Sequence, residues 1–169
     1  KREELKTLKD LGVILVKIAL PKGLPSLGCI LSAETATAFD HLTRQGIREG
    51  YGKGWPNSFR KGQFITAVEY LRANRIRSIL IERMKAIFEK IDLYVAPTYE
   101  DLQLTNLTGH PQVCLPDGFT KSGDAEVPTS ICFTGNLYEE TTLLRVAQAY
   151  QEARGFHRRR PPMEKVVKP

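Results

Sequence analysis

Residues Leu104 to Phe119 read L-T-N-L-T-G-H-P-Q-V-C-L-P-D-G-F and set a turn directly in front of a strand. Asn106, Gly109 and Pro111 are residue types that fix a tight backbone path. Gln112 to Leu115 supply a short strand expected to end at Pro116, with Gly118 behind it. Upstream, Ile91 to Thr98 (I-D-L-Y-V-A-P-T) is another apolar run stopped by proline. Two strand ends therefore meet near one loop, the place where open α/β sheets hold ligands. The stretch reads as half of an enzyme's pocket.

Working outward, Glu3 to Asp10 carries Leu5 and Leu8 at a three-residue step, with Leu11 following and Gly12 where a helix would stop. Val13 to Ile18 then alternates toward a strand. Ser32 is the expected N-cap of a helix over Ala33 to Arg44, with Glu34 near the positive end of its dipole. Gln45 to Trp55 carries four glycines and reads as an irregular connection. A long helix is expected to begin at Asn57 or Ser58, and Gly62 inside it weakens the start by about 1 kcal/mol relative to alanine. Ile65, Val68, Leu71, Ile76, Ile79, Leu80, Ile87 and Ile91 follow helical spacing and predict a core-facing stripe. Lys121 to Glu126 reads as a polar hairpin link. Asn136 to Glu139 resembles a capping arrangement for a last helix with Leu143, Leu144, Val146, Ala147 and Tyr150 on its apolar face. Gly155 ends that helix, and Pro161 with Pro162 prevents its continuation.

A chain of 169 residues is long enough to bury roughly 70% of its unfolded surface as one domain without staples. With 41% hydrophobic and 26% charged residues, the composition is that of an ordinary soluble protein. No apolar run approaches the roughly 20 residues of a membrane span, and the charged start at Lys1 to Lys9 lacks the apolar centre of a signal sequence. A cytoplasmic location is expected. Cys29, Cys114 and Cys132 form no C-x-x-C pair and have no histidine at ligand spacing, so neither a metal nor a cofactor is expected. Cys114 and Cys132 fall within apolar strand-like runs and read as small buried residues. The net charge of +6 raises the question of nucleic acid. Arg72, Arg75, Arg77, Arg83 and Lys85 are interleaved with Glu69, Glu82 and Glu89, the pattern of a solvated helix face. Arg154, Arg158, Arg159 and Arg160 read as an exposed terminal segment, so nucleic acid is not an expected partner.

Taken with Glu69 to Leu80 (E-Y-L-R-A-N-R-I-R-S-I-L), Pro128 to Thr134 (P-T-S-I-C-F-T) and Phe156 to Pro162 (F-H-R-R-R-P-P), the order of these segments resembles the C-terminal part of the amidase-signature family. That family includes general amidases and the A subunit of the glutamyl-tRNA(Gln) amidotransferase. The resemblance runs from about residue 30 to residue 162. It implies an α/β fold, a mixed sheet flanked by helices, over a single domain or fragment spanning residues 1–169. It also implies amide C–N cleavage by a serine nucleophile, with a second serine in a cis peptide and a lysine as base. Those groups lie in the family's N-terminal half, around a Gly-Ser-rich stretch. Ser26, Ser32, Ser58, Ser78, Ser122 and Ser130 are the serines here, and none sits in a Gly-Ser-Ser-Gly setting. The chain is therefore expected to carry no catalytic residue and to be inactive alone, its partner being the missing catalytic half and its ligand a small amide.

Thr98, Tyr99 and Asn106 are the expected substrate-binding residues, because they follow a strand end and form the loop where substrate would enter. The bland alternative for Asn106 is turn-making. Related enzymes often have more chain between the Pro97 strand end and the Asn106 turn. His110 could be imagined as a general base, but the resemblance makes G-H-P a structural spelling. Asp101 and Glu100 are expected to be solvated or in weak contact with substrate. Asp101 and Arg60 lie in the regions that supply the amidotransferase's amide-holding groups, yet neither aligns without gaps. The alternatives kept open are a non-catalytic interaction protein and a basic tRNA-associated module of the glutamyl-tRNA(Gln) amidotransferase. A homodimer through an exposed apolar face is a further expectation.

Overall fold

A computed structural model of the chain describes residues 2–22, 25, 27–49, 54–98, 100–123 and 125–160. They divide into two compact units, one formed by Lys1–Ala19 with Lys85–Pro169 and the other by Leu20–Met84.

The first unit is built on a sheet of three strands, β1 (Leu93–Pro97), β2 (Gln112–Ser122) and β3 (Ala125–Gly135), in the order β1-β3-β2. Both outer strands run antiparallel to β3, so they point the same way. Registry decides the two faces. Leu115 opposite Ile131, and Val95 and Val113 flanking Phe133, put the apolar side chains on one face. Helices α1 (Arg2–Asp10) and α7 (Glu140–Arg154) cover that face. Leu143, Ala147 and Tyr150 recur at helical spacing and join Leu8, Leu115, Ile131 and Phe133 in the core. Phe133 and Tyr150, both fully buried, meet edge to face with ring centroids 5.1 Å apart. Full burial of each such side chain contributes about 1.5–3 kcal/mol.

The expected turn and hairpin chemistry places the remaining pieces. Gly155 takes the left-handed φ of +69° that closes α7, where a side chain would be strained. Gly123, at φ +60°, turns the β2–β3 hairpin. Pro161 and Pro162 lie outside the described residues. Pro116 does not end β2: the strand continues to Ser122 through a bulge between Pro116 and Gly118. Asn106 lies in a short helix, α6 (Leu102–Thr108), rather than in a turn, and Gly109 at φ +80° is the residue that closes it. Val13 to Ile18 keeps its alternation, since Val13 and Leu15 pack on the core while Ile14 and Val16 are exposed, but it joins no ladder.

The second unit is helical: α2 (Gly28–Ala38), α3 (Asp40–Arg44), α4 (Trp55–Gly62) and α5 (Ala67–Phe88) up to Met84. The single helix expected over Ala33 to Arg44 starts earlier and breaks at Phe39, and Ser32 lies inside α2. Phe39 stacks on Phe59 of α4 with centroids 4.5 Å apart. Gln63 spans the break by donating to the Ala36 carbonyl at 3.2 Å and to Asp40 at 3.1 Å. The long helix begins at Ala67, not at Asn57, because Thr66 Oγ1 accepts from the Glu69 N–H at 3.1 Å as its cap. Its buried positions are Ala73, Leu80, Met84 and Phe88, so of the expected stripe only Leu80 is buried; Ile65, Ile76, Ile87 and Ile91 are partly buried, and Val68, Leu71 and Ile79 are more than half exposed.

Candidate functional site

The second face of the sheet is polar. Tyr94, Gln112 and Thr134 share it with Cys114, Ser130 and Cys132, as the register requires. Asp101, placed just before α6, is the hub at one end of this face and is only 3% exposed. Tyr94 Oη donates to Oδ2 at 2.6 Å, Gln112 Nε2 to Oδ1 at 3.0 Å, and Thr134 Oγ1 to Oδ2 at 3.3 Å. Three donors from three strands compensate the desolvation of one carboxylate, which unpaired would cost several kcal/mol. Burial, and after it the hydrogen bond to Asp101, pushes the Tyr94 phenol well above its ordinary range, so it remains a donor. The expectation of a solvated Asp101 is thereby corrected; Glu100 beside it is exposed.

Thr98 is half-buried past the end of β1, with its Oγ1 2.5 Å from Ser130 Oγ and 3.7 Å from Cys132 Sγ. Asn106 is exposed on α6, and among the described residues no hydrogen bond joins it to Thr98. Tyr99 lies outside the described residues. His110 is buried, its ring stacked on Phe88 at 4.7 Å and its Nδ1 2.8 Å from Thr108 Oγ1. Burial holds its pKa below the usual histidine value, which suits a neutral packing residue. Cys132 is buried as expected, but Cys114 is exposed. Arg60 belongs to the helical unit, where it donates to Asn57 at 2.6 Å.

A separate charged cluster lies where β2 meets α7. Tyr150 Oη donates to Asp117 Oδ1 at 2.5 Å, and Arg154 Nε reaches the same oxygen at 3.1 Å while its Nη2 donates to the Asp117 carbonyl at 3.1 Å. Arg159 pairs with Glu126 and lies over the Phe119 ring, 4.0 Å from its centroid. Two of the four terminal arginines are thus engaged within the fold, a pattern of which their clustering in sequence gave no sign.

Two of the open grooves among the described residues have defined linings. One, of about 450 Å³, runs along α5 beside Leu27, Cys29, Thr66, Glu69 and Arg72. The other, of about 270 Å³, lies between Leu11, Val13, Thr142 and Val146. Neither is lined by Thr98 or Asn106. Among the described residues no group of three or more His, Cys, Asp or Glu side chains could hold a metal ion, and no helix is long and apolar enough to cross a membrane.

No family profile matches the sequence. Individual relatives do. An amidase from Pseudomonas putida is 28% identical over 192 residues, covering 96% of this chain and 40% of its own. An aryl acylamidase described as an amidase-signature enzyme superimposes on 93% of the chain with a TM-score of 0.71 and 17% identity, using 40% of its own length. Over nearly its whole length the chain is similar to amidase-signature enzymes. Its α/β fold is shared with that acylamidase and with a 6-aminohexanoate cyclic dimer hydrolase, which matches at a TM-score of 0.72 and 18% identity over 96% of the chain and 42% of the hydrolase. The A subunit of the glutamyl-tRNA(Gln) amidotransferase from Ralstonia nicotianae is 28% identical over 207 residues, covering 95% of this chain and 41% of its own. The chain spans about two fifths of the length of the curated relatives it matches.

Proposed function

We propose that the chain is the C-terminal region of an amidase-signature hydrolase that cleaves amide C–N bonds. It contributes the three-stranded sheet and the loops that face substrate, while the Ser-Ser-Lys machinery implied by the family lies upstream. The observation that carries this reading is the reach of the match to the Pseudomonas putida amidase, 96% of this chain against 40% of the amidase. The sheet supports it, because its apolar face is covered by α1 and α7 while Thr98, Ser130 and Cys114 occupy the open part of a polar face. Thr98, Tyr99 and Asn106 would form the wall against which the amide is held. In the intact enzyme, backbone N–H groups beside the upstream Gly-Ser stretch would stabilise the tetrahedral oxyanion.

The test is an amide-hydrolysis assay on the 169-residue chain alone and on a polypeptide extended through the coding sequence upstream of Lys1. The extended protein should hydrolyse simple amides and lose that activity to a serine-directed phosphonate, while the short chain shows none. Hydrolysis by the short chain, abolished by the phosphonate, would overturn the reading. In the active protein, Thr98→Val and Asn106→Ala should raise KM more than they lower kcat.

A further inference from the structure

Cys114 and Cys132 are direct register partners on β2 and β3, and their side chains project to the same polar face. Their Sγ atoms are adjacent, 2.6 Å apart, although both are free thiols. Side chains directly opposite on antiparallel strands have Cα atoms about 4.5–5.5 Å apart, inside the range of about 4.4–6.8 Å that a disulfide bridges without moving backbone. Accessibility is divided between the two. Cys114 is exposed, whereas Cys132 is only 1% exposed.

We propose that Cys114 and Cys132 form a dithiol modification site that takes low-molecular-weight disulfides of the glutathione class and closes to a cross-strand disulfide. The exposed Cys114 loses its proton and attacks one sulfur of the small disulfide. A Cys114 mixed disulfide forms and one small thiolate leaves, taking up a proton. Cys132 then loses its proton and attacks Cys114 Sγ, which expels the second small thiol. Two protein thiols are oxidised by two electrons, and the small disulfide is reduced to two thiols. Because the buried thiol is already seated against the attacked sulfur, the second step follows the first without rearrangement. Although the residue is exposed, partial desolvation of its sulfur against the sheet, and after it the Cys132 thiol, pushes Cys114 up to about 11. Only a small fraction is therefore thiolate near neutrality, and exchange is slow there and accelerates with pH. The pair lies beside Thr98, whose Oγ1 is 3.7 Å from Cys132 Sγ, so the bridge forms at the edge of the polar face.

The experiment treats the folded chain with excess oxidised glutathione between about pH 7 and 9, blocks remaining thiols with N-ethylmaleimide, and maps peptides by mass spectrometry. The expected product is a Cys114-to-Cys132 linked peptide pair that dithiothreitol reverses, with a rate rising roughly tenfold per pH unit. Its formation should be unchanged in Cys29→Ser, which excludes shuffling through the third thiol. Cys132→Ala should instead accumulate the Cys114–glutathione mixed disulfide. Should that variant fail to fold, the wild-type linkage map decides alone. Recovery of both cysteines as maleimide adducts from the folded wild type, or a stable Cys114–glutathione adduct in it, overturns the proposal, and so does a closure rate independent of pH.

Discussion

Tyr94 Oη stands 2.6 Å from Asp101 Oδ2, tying the second residue of β1 to the residue that precedes α6. Asp101→Ala removes the shared acceptor and leaves Tyr94, Gln112 and Thr134 to compete for one another. A loss of at least about 3 kcal/mol is expected: three hydrogen bonds of about 1.5–3 kcal/mol each are removed, offset in part because the desolvation of the carboxylate is removed with it. Tyr94→Phe should cost less, because two donors remain. Urea unfolding midpoints at constant slope measure both, and equal losses would show that Asp101 matters only through Tyr94.

Asp117 and Arg154 are both largely buried, with 8% and 15% of their side chains exposed, and removing the Asp117 carboxylate leaves Arg154 the backbone carbonyl at 117 and the exposed Glu3 at 3.4 Å as weaker partners. Asp117→Ala should destabilise by about 3–5 kcal/mol. The more exposed Arg159–Glu126 pair provides the contrast. Glu126→Gln should change stability by less than about 1 kcal/mol and lose even that at high salt. Thermal unfolding of the two variants across a salt series separates them.

Gly62→Ala sets two effects against each other. Alanine gains about 1 kcal/mol of helix propensity. Its Cβ, however, would overlap the Ser32 carbonyl oxygen and lie 2.7 Å from Ala36 Cβ, where α2 and α4 cross. Overpacking against backbone costs about 1–3 kcal/mol or more, so net destabilisation is expected. A raised denaturation midpoint would show that the two helices separate freely.

His110 supplies a pH dependence whose sign is fixed by burial. Its folded pKa lies below that of the unfolded chain, so the unfolded state takes up the proton first. The associated stability is complete above about 6.5 and is lost as pH falls through the folded value. Urea midpoints measured from about pH 8 to pH 5 should fall, and His110→Gln should flatten that component. An NMR titration placing the His110 ring at or above the ordinary value would contradict the assignment.

Legibility in the sequence followed the range of the interactions involved. Helices α1 and α7, strand β1 and the β2–β3 hairpin are set by local periodicity and by a glycine or, for β1, a proline at their ends, and the sequence shows them. The start of α5 is also written locally, in the Thr66 hydroxyl that caps the Glu69 N–H, downstream of the competing cap residues Asn57 and Ser58. The alternation of Val13 to Ile18 was genuine, but alternation reports which side chains are buried and not whether the backbone finds a ladder. Asp101 was unreadable for a different reason. Its donors come from positions 94, 112 and 134 and meet only after three strands have closed. A carboxylate next to Glu100 in a loop looks solvated until then.

The bulge at Pro116 to Gly118 has a consequence for life in a crowded solution. In the order β1-β3-β2, β2 is an edge strand eleven residues long, a ready template for another molecule's strand. Pro116 offers no N–H there, and Asp117 is left without a register partner on β3 and turns inward to Tyr150 and Arg154. The irregularity that seats the buried carboxylate thus breaks the edge into two short runs. A neighbouring chain finds no continuous ladder to extend along β2, and intermolecular strand addition is resisted at that border.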